Sequence, residues 1–170
     1  FMYTGSYMSY LKIKIIKILQ DIWHLFLSSL ILSTFTAGYW MVEQTMNSVV
    51  HFRRDFVNIP YYDGTLNVWL YHDVAYTLLW ISYIISVVKE VKNDGIHITR
   101  NLILVAIVGF ALLTAGLWLT QDTMVAVLSY NRAYVDLPFF ALQLDLYNIR
   151  DSARLLTVLG FLTFYTLGRR

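Results

Sequence analysis

The chain has 170 residues, 58% of them hydrophobic and 14% charged, with a formal net charge of +2 and no cysteine. Soluble domains hold roughly 45–50% apolar and about 25% charged residues, so this balance points to a membrane protein with one domain and room for four crossings. It excludes disulfides, thiolate metal sites and iron–sulfur ligation by this chain, and the small net charge gives no basis for nucleic-acid binding.

The first stretch, FMYTGSYMSYLKIKIIK, lacks a short apolar core leading to a small-residue cleavage site, so no cleaved leader is expected in it. Residues 22–42 are the first predicted crossing. The following EQTMNSVVHFRRDF reads as a continuation of that helix above the bilayer, ended by Pro60 and YYDG. Residues 66–88 are the second crossing, and KEVKNDGIHITR is a polar turn centred on Asp94-Gly95. The third crossing is 101–120. Beyond it, TMVAVLSY suggests a half-buried helix, and VDLPFFALQLDLY alternates apolar and polar positions, as a segment lying on a membrane surface or a partner would. The fourth crossing, 153–168, is short against a hydrocarbon core of about 30 Å.

Charge placement sets the expected orientation. Lys12, Lys14, Lys17, Lys89, Lys92, Arg100, Arg169 and Arg170 fall on one side; Arg53, Arg54, Arg132, Arg150 and Arg154 fall on the other. Lysine and arginine favour the cytoplasmic side, which places both termini there. The expected fold is an all-α integral membrane protein: a single domain of four helices in a bundle, with two outer loops forming a small cap. Trp40, Trp69 and Trp118 should lie near the outer interface. Small residues mark the expected packing faces: Ser29, Ser33 and Ala37 with Thr34 and Gly38 in helix one, Gly109 and Gly116 in helix three, Thr157 and Gly160 in helix four. Read along the chain, no internal repeat stands out.

The residues that attract chemistry are His72 and Asp73, about 10 Å along the second helix at 1.5 Å per residue. An ionisable residue inside a membrane costs free energy and is a functional candidate by default. Tyr76 shares a helical stripe with each of them. Asp73 is expected to turn inward to a donor on another segment, and His72 to sit at the bundle edge. Together they suit a proton relay, a quinone contact or a cofactor. His72 and His51 are the candidate ligands for a heme or metal. A bis-histidine heme needs imidazoles at matching depth; His24 and His72 lie at opposite levels, and His51 stands turns above His72. Arg53 and Arg54 suit a lipid headgroup or an acidic partner loop, and Phe139 and Phe140 an apolar partner contact.

GxSxG, HExxH, P-loop and GxGxxG patterns are all absent, so no catalytic residue is nominated. The expectation is a small subunit of a larger complex in a plasma membrane or organellar inner membrane. Its partners would be other membrane subunits and lipid, with a quinone as a possible ligand. Electron transport is the expected setting and the role structural or cofactor-supporting. The alternative is an oligomeric ion or proton channel or transporter built on His72 and Asp73.

Overall fold

A computed structural model describes residues 4–58, 63–93, 100–137 and 142–167. Four helices dominate: α1 (Thr4–Val50), α2 (Val68–Asn93), α3 (Arg100–Met124) and α4 (Leu146–Leu167). A π-helical turn, Val125–Ser129, extends α3. Three of these helices contain stretches long and apolar enough to cross a membrane: Lys12–Val50, Val68–Lys92 and Leu102–Ser129. The chain is mostly helical, as a membrane bundle requires.

The two loops expected as a cap are antiparallel hairpins among the described residues. Strands β1 (Phe56–Asn58) and β2 (Thr65–Asn67) pair with Val57 opposite Leu66. Strands β3 (Tyr134–Leu137) and β4 (Leu142–Asp145) pair with Val135 opposite Leu144. Phe139 and Phe140 lie outside the described residues. The last helix begins seven residues before the expected crossing, because its charges Arg150, Asp151 and Arg154 find partners within the protein.

The element boundaries expose a repeat that the linear reading missed. Arg53 and Asn131, 78 residues apart, both adopt left-handed backbone at φ 49°. At the same offset β1 maps onto β3, the start of α2 (Val68) onto the start of α4 (Leu146), and Ile22 of α1 onto the start of α3 (Arg100). The sequences then align: TAGYWMVEQTM, from Thr36, lies over TAGLWLTQDTM, from Thr114. The only two prolines, Pro60 and Pro138, share the spacing.

Local interactions repeat with the sequence. Arg53 N–H and Asn131 N–H each donate to the carbonyl four residues back at 3.1 Å. Thr45 donates to the Met41 carbonyl and Thr123 to the Leu119 carbonyl. Asn67 caps α2 by accepting from Trp69 N–H at 2.9 Å, and Asp145 caps α4 from Tyr147 N–H at 3.3 Å. The Arg54 guanidinium lies 5.1 Å from the Phe52 ring, and that of Arg132 lies 5.1 Å from the Tyr130 ring. Trp40 and Trp118, equivalent under the shift, both face outward.

Each repeat is therefore helix–hairpin–helix, and both run in the same direction. Repeats that run in the same direction are a known arrangement in membrane proteins. Arg53 donates to the Asn131 side chain, so equivalent residues of the two repeats meet each other at the hairpin end.

Within each repeat the helices approach closely at one glycine. A Cβ added to Gly38 would lie 3.0 Å from the Ala75 carbonyl oxygen; one added to Gly116 would lie 2.8 Å from that of Ala153, the equivalent atom. In the second repeat Gly160 deepens the contact, since its Cβ would meet the Leu113 nitrogen at 2.5 Å. Lipid is as apolar as leucine, so such close backbone contact is what holds membrane helices together. The expected stripe of Ser29, Ser33 and Ala37 instead faces outward; Gly38, one residue round, carries the packing.

Helix α1 is far longer than its neighbours. Its 47 residues extend about 70 Å at 1.5 Å per residue. Lys89 Nζ donates to Ser28 Oγ at 2.6 Å, which fixes the level where α2 nears its end. The helix before Trp23 runs about 30 Å further. Every side chain from 12 to 26 is exposed. Residues 4–21 precede the point where the second repeat's helix begins, so the arm has no counterpart in that repeat.

Candidate functional site

Two seams join the repeats, one between α2 and α3 and the other between α4 and α1. They are equivalent under the 78-residue shift, and the polar residues gather in both near the hairpin end.

In the α4–α1 seam, charge meets charge. Arg154 donates to the Glu43 carboxylate and lies 3.5 Å from Asp151. Arg150 donates to Asp151 at 2.9 Å and to His51 Nε2 at 2.8 Å. Because Nε2 of His51 accepts, that ring is the neutral tautomer with its proton on Nδ1. Tyr147 packs on His51 with ring centroids 5.4 Å apart. Deeper in the seam, Phe35 and Phe161 stack at 3.8 Å. The seam is closed along its length by paired charges and stacked rings.

In the α2–α3 seam three of the four equivalent positions hold different side chains. Tyr76 stands for Arg154, His72 for Arg150, Gln121 for Glu43 and Asp73 for Asp151. Around them lies a cavity of about 310 Å³, lined by Trp69, His72, Asp73, Tyr76, Thr77 and Gln121. His72 is 4% exposed and packs on Tyr76 at 4.8 Å between ring centroids. Its Nδ1 lies 3.3 Å from Asp73 Oδ1. With the proton on Nδ1, donated to Asp73, Nε2 is a bare acceptor, buried without a partner among the described residues.

The expected orientations are reversed. Asp73 is 77% exposed and His72 is buried. The reason is depth: Asp73 is only five residues past the start of α2, about 7.5 Å. At that level a carboxylate near the helix end does not need a buried donor. Asp151, its equivalent, is likewise 61% exposed. The neighbours are also partners of each other, where separate partners were expected.

Toward the other end the α2–α3 seam widens into an apolar groove of about 710 Å³, lined among others by Trp80, Tyr83, Val87, Leu102 and Ala106. Tyr83 bridges the helices by donating to the Ala106 carbonyl, and Trp80 packs on Phe110 at 4.9 Å. The stripe 69–72–76–80–83–87 keeps helical spacing, so cavity and groove follow one face of α2.

His72, Asp73 and Tyr76 are thus brought together, while His51 belongs to the opposite seam. Arg53 and Arg54 engage Asn131 and the Phe52 and Phe56 rings. Sequence reasoning missed Trp69, Thr77 and Gln121 as cavity residues, and the Glu43–Arg154 pair. The 78-residue alignment is the signal that finds both sets at once. Among the described residues, no three His, Asp or Glu side chains gather as a metal site would need. Compared with known families, curated proteins and solved structures, the chain matches none.

Proposed function

We propose that this protein is a non-catalytic membrane subunit of a larger assembly, crossing the bilayer four times with both termini on the lysine-rich side. The observation that carries the assembly reading is the arm of α1. Ile15, Ile18, Ile22 and Leu25 fall on one face at helical spacing, and all are exposed. An apolar face of this length, which begins in the arm outside the repeat and runs on into the start of the repeat, calls for a protein surface to cover it. Two arguments support four crossings. Helix α4 is the repeat equivalent of α2, which is apolar enough to cross. The charges of α4 are matched by Glu43, Asp151 and His51.

Electron transport is the setting we assign. It rests on the class of assemblies in which small membrane subunits without chemistry of their own are common, and on no feature of the fold. Mild-detergent extraction and native electrophoresis test the assembly: a large hetero-complex is expected, and deletion of residues 4–21 should release the chain from it. Migration of the full-length chain as a monomer or homo-oligomer would refute the reading. A visible and redox-difference spectrum of the complex tests the setting, which is wrong if no redox centre co-purifies.

The cavity at Asp73 favours one second reading, a proton or ion path through the α2–α3 seam. Purified chain alone in liposomes would then carry a flux that Asp73→Asn abolishes. An unchanged flux in that variant rejects this path.

A further inference from the structure

We infer that the α2–α3 seam holds a membrane lipid with a protonated primary amine in its headgroup, the ammonium in the polar cavity and one acyl chain along the apolar groove. The inference does not rest on the subunit reading.

The internal repeat supplies the argument for charge. In the α4–α1 seam a guanidinium, that of Arg154, lies between two carboxylates, Glu43 and Asp151. Under the 78-residue shift the same place is flanked by Gln121 and Asp73, but Tyr76 stands where the guanidinium would be. The acceptors remain and the cation is gone. Among the described residues no lysine or arginine pairs with Asp73; its one partner is His72. His72 also holds a buried, unpartnered Nε2 at this site. The cavity of about 310 Å³ is lined by the carboxylate of Asp73, the amide of Gln121, the aromatic side chains of Trp69, His72 and Tyr76, and Thr77. Carboxylates and aromatic faces are the groups that attract an ammonium.

Shape supplies the argument for a lipid. The cavity lies near the hairpin end of α2, and the separate groove of about 710 Å³ lies on the same face of α2 toward the opposite end, where Leu102 lines it. A polar site and, further along the same helix face, an apolar slot of about twice the volume match a headgroup and an acyl chain.

The test uses the complete chain in its purified assembly, delipidated and then offered phosphatidylethanolamine or phosphatidylglycerol with identical chains, with retention read by native mass spectrometry. Phosphatidylethanolamine should be retained preferentially. Asp73→Asn should weaken its retention roughly tenfold or more, the usual effect of losing one charge-assisted hydrogen bond. Asp151→Asn, in the opposite seam, should leave retention unchanged. Tyr76→Arg with Gln121→Glu copies the closed seam and should abolish retention. Should that double variant fail to fold, Asp73→Asn decides alone, since its side chain is exposed. Equal retention of the two lipids, or wild-type retention by Asp73→Asn, overturns the inference. So does displacement of the lipid by millimolar free ethanolamine, which would mean that the groove contributes nothing.

Discussion

The two seams are built from equivalent positions and end in opposite states. One is closed by Arg154, Arg150, Glu43 and Asp151 near the hairpins and by stacked Phe35 and Phe161 below. The other keeps Asp73 but replaces arginine with tyrosine and histidine; it holds a polar cavity near the hairpins and an apolar groove below, with Tyr83 and Trp80 reaching across to α3. The backbone frame is common to both, since the repeats share caps, turns and the equivalent contacts of Gly38 and Gly116. Near the hairpins the difference comes from three side chains, Tyr76, His72 and Gln121 in place of Arg154, Arg150 and Glu43. One protein thus shows how membrane helices are joined by ion pairs and how the same frame can leave room for a guest.

The largest expected effect breaks the closed seam. Arg154→Leu leaves Glu43 half-buried without its cation and should cost about 3 kcal/mol, as broken buried pairs do. Denaturant unfolding in mixed micelles measures it. Replacing both Glu43 and Arg154 with leucine should recover most of the loss, since a buried ion pair is often no better than well-packed apolar side chains.

A smaller effect compares the two helix pairs. Gly160→Ala drives a methyl into the α3 backbone at Leu113 and should cost about 2 kcal/mol. Gly38→Ala meets the Ala75 carbonyl and a movable Leu79 side chain at 3.0 Å, and should cost about 1 kcal/mol. Equal costs would mean that the three glycines of the second repeat add nothing to its packing.

Removing residues 4–21 should shift the melting temperature of the bundle by less than about 3 °C, since side chains 12–21 are all exposed. The smallest effect separates the two aspartates. Asp73→Asn should change stability by about 0.5 kcal/mol or less, as for exposed pairs. Asp151→Asn should cost about 1 kcal/mol, because two arginines rely on it. The reverse order would undo the assignment of open and closed seams.

Hydropathy revealed the helices, because a membrane span must be apolar along its length whatever its neighbours. It could not place the start of α4, where Arg150 and Arg154 read as loop charges until Glu43 and His51 are beside them. The hairpins escaped because strands of three or four residues carry too little alternation to read. The repeat escaped because Ile, Leu and Val interchange freely on lipid-facing surfaces. Identity survives where geometry is strict, at Gly38 and Gly116 against a carbonyl. His72, Asp73 and Tyr76 were legible as costly residues in an apolar helix. Gln121 was not, since a glutamine near a helix end signals nothing until its equivalent, Glu43, is seen to hold an arginine.

Each repeat leaves and returns to the same end of the bundle, so its first and last residues are neighbours in level. Two such units made as separate polypeptides would associate as a symmetric dimer, and any mutation would alter both junctions together. Joined through the six residues between Asn93 and Arg100, they are free to differ. A substitution at position 76 no longer forces the same change at position 154. Covalent linkage thereby turns one evolving junction into two, one able to keep the halves together while the other takes on a different task.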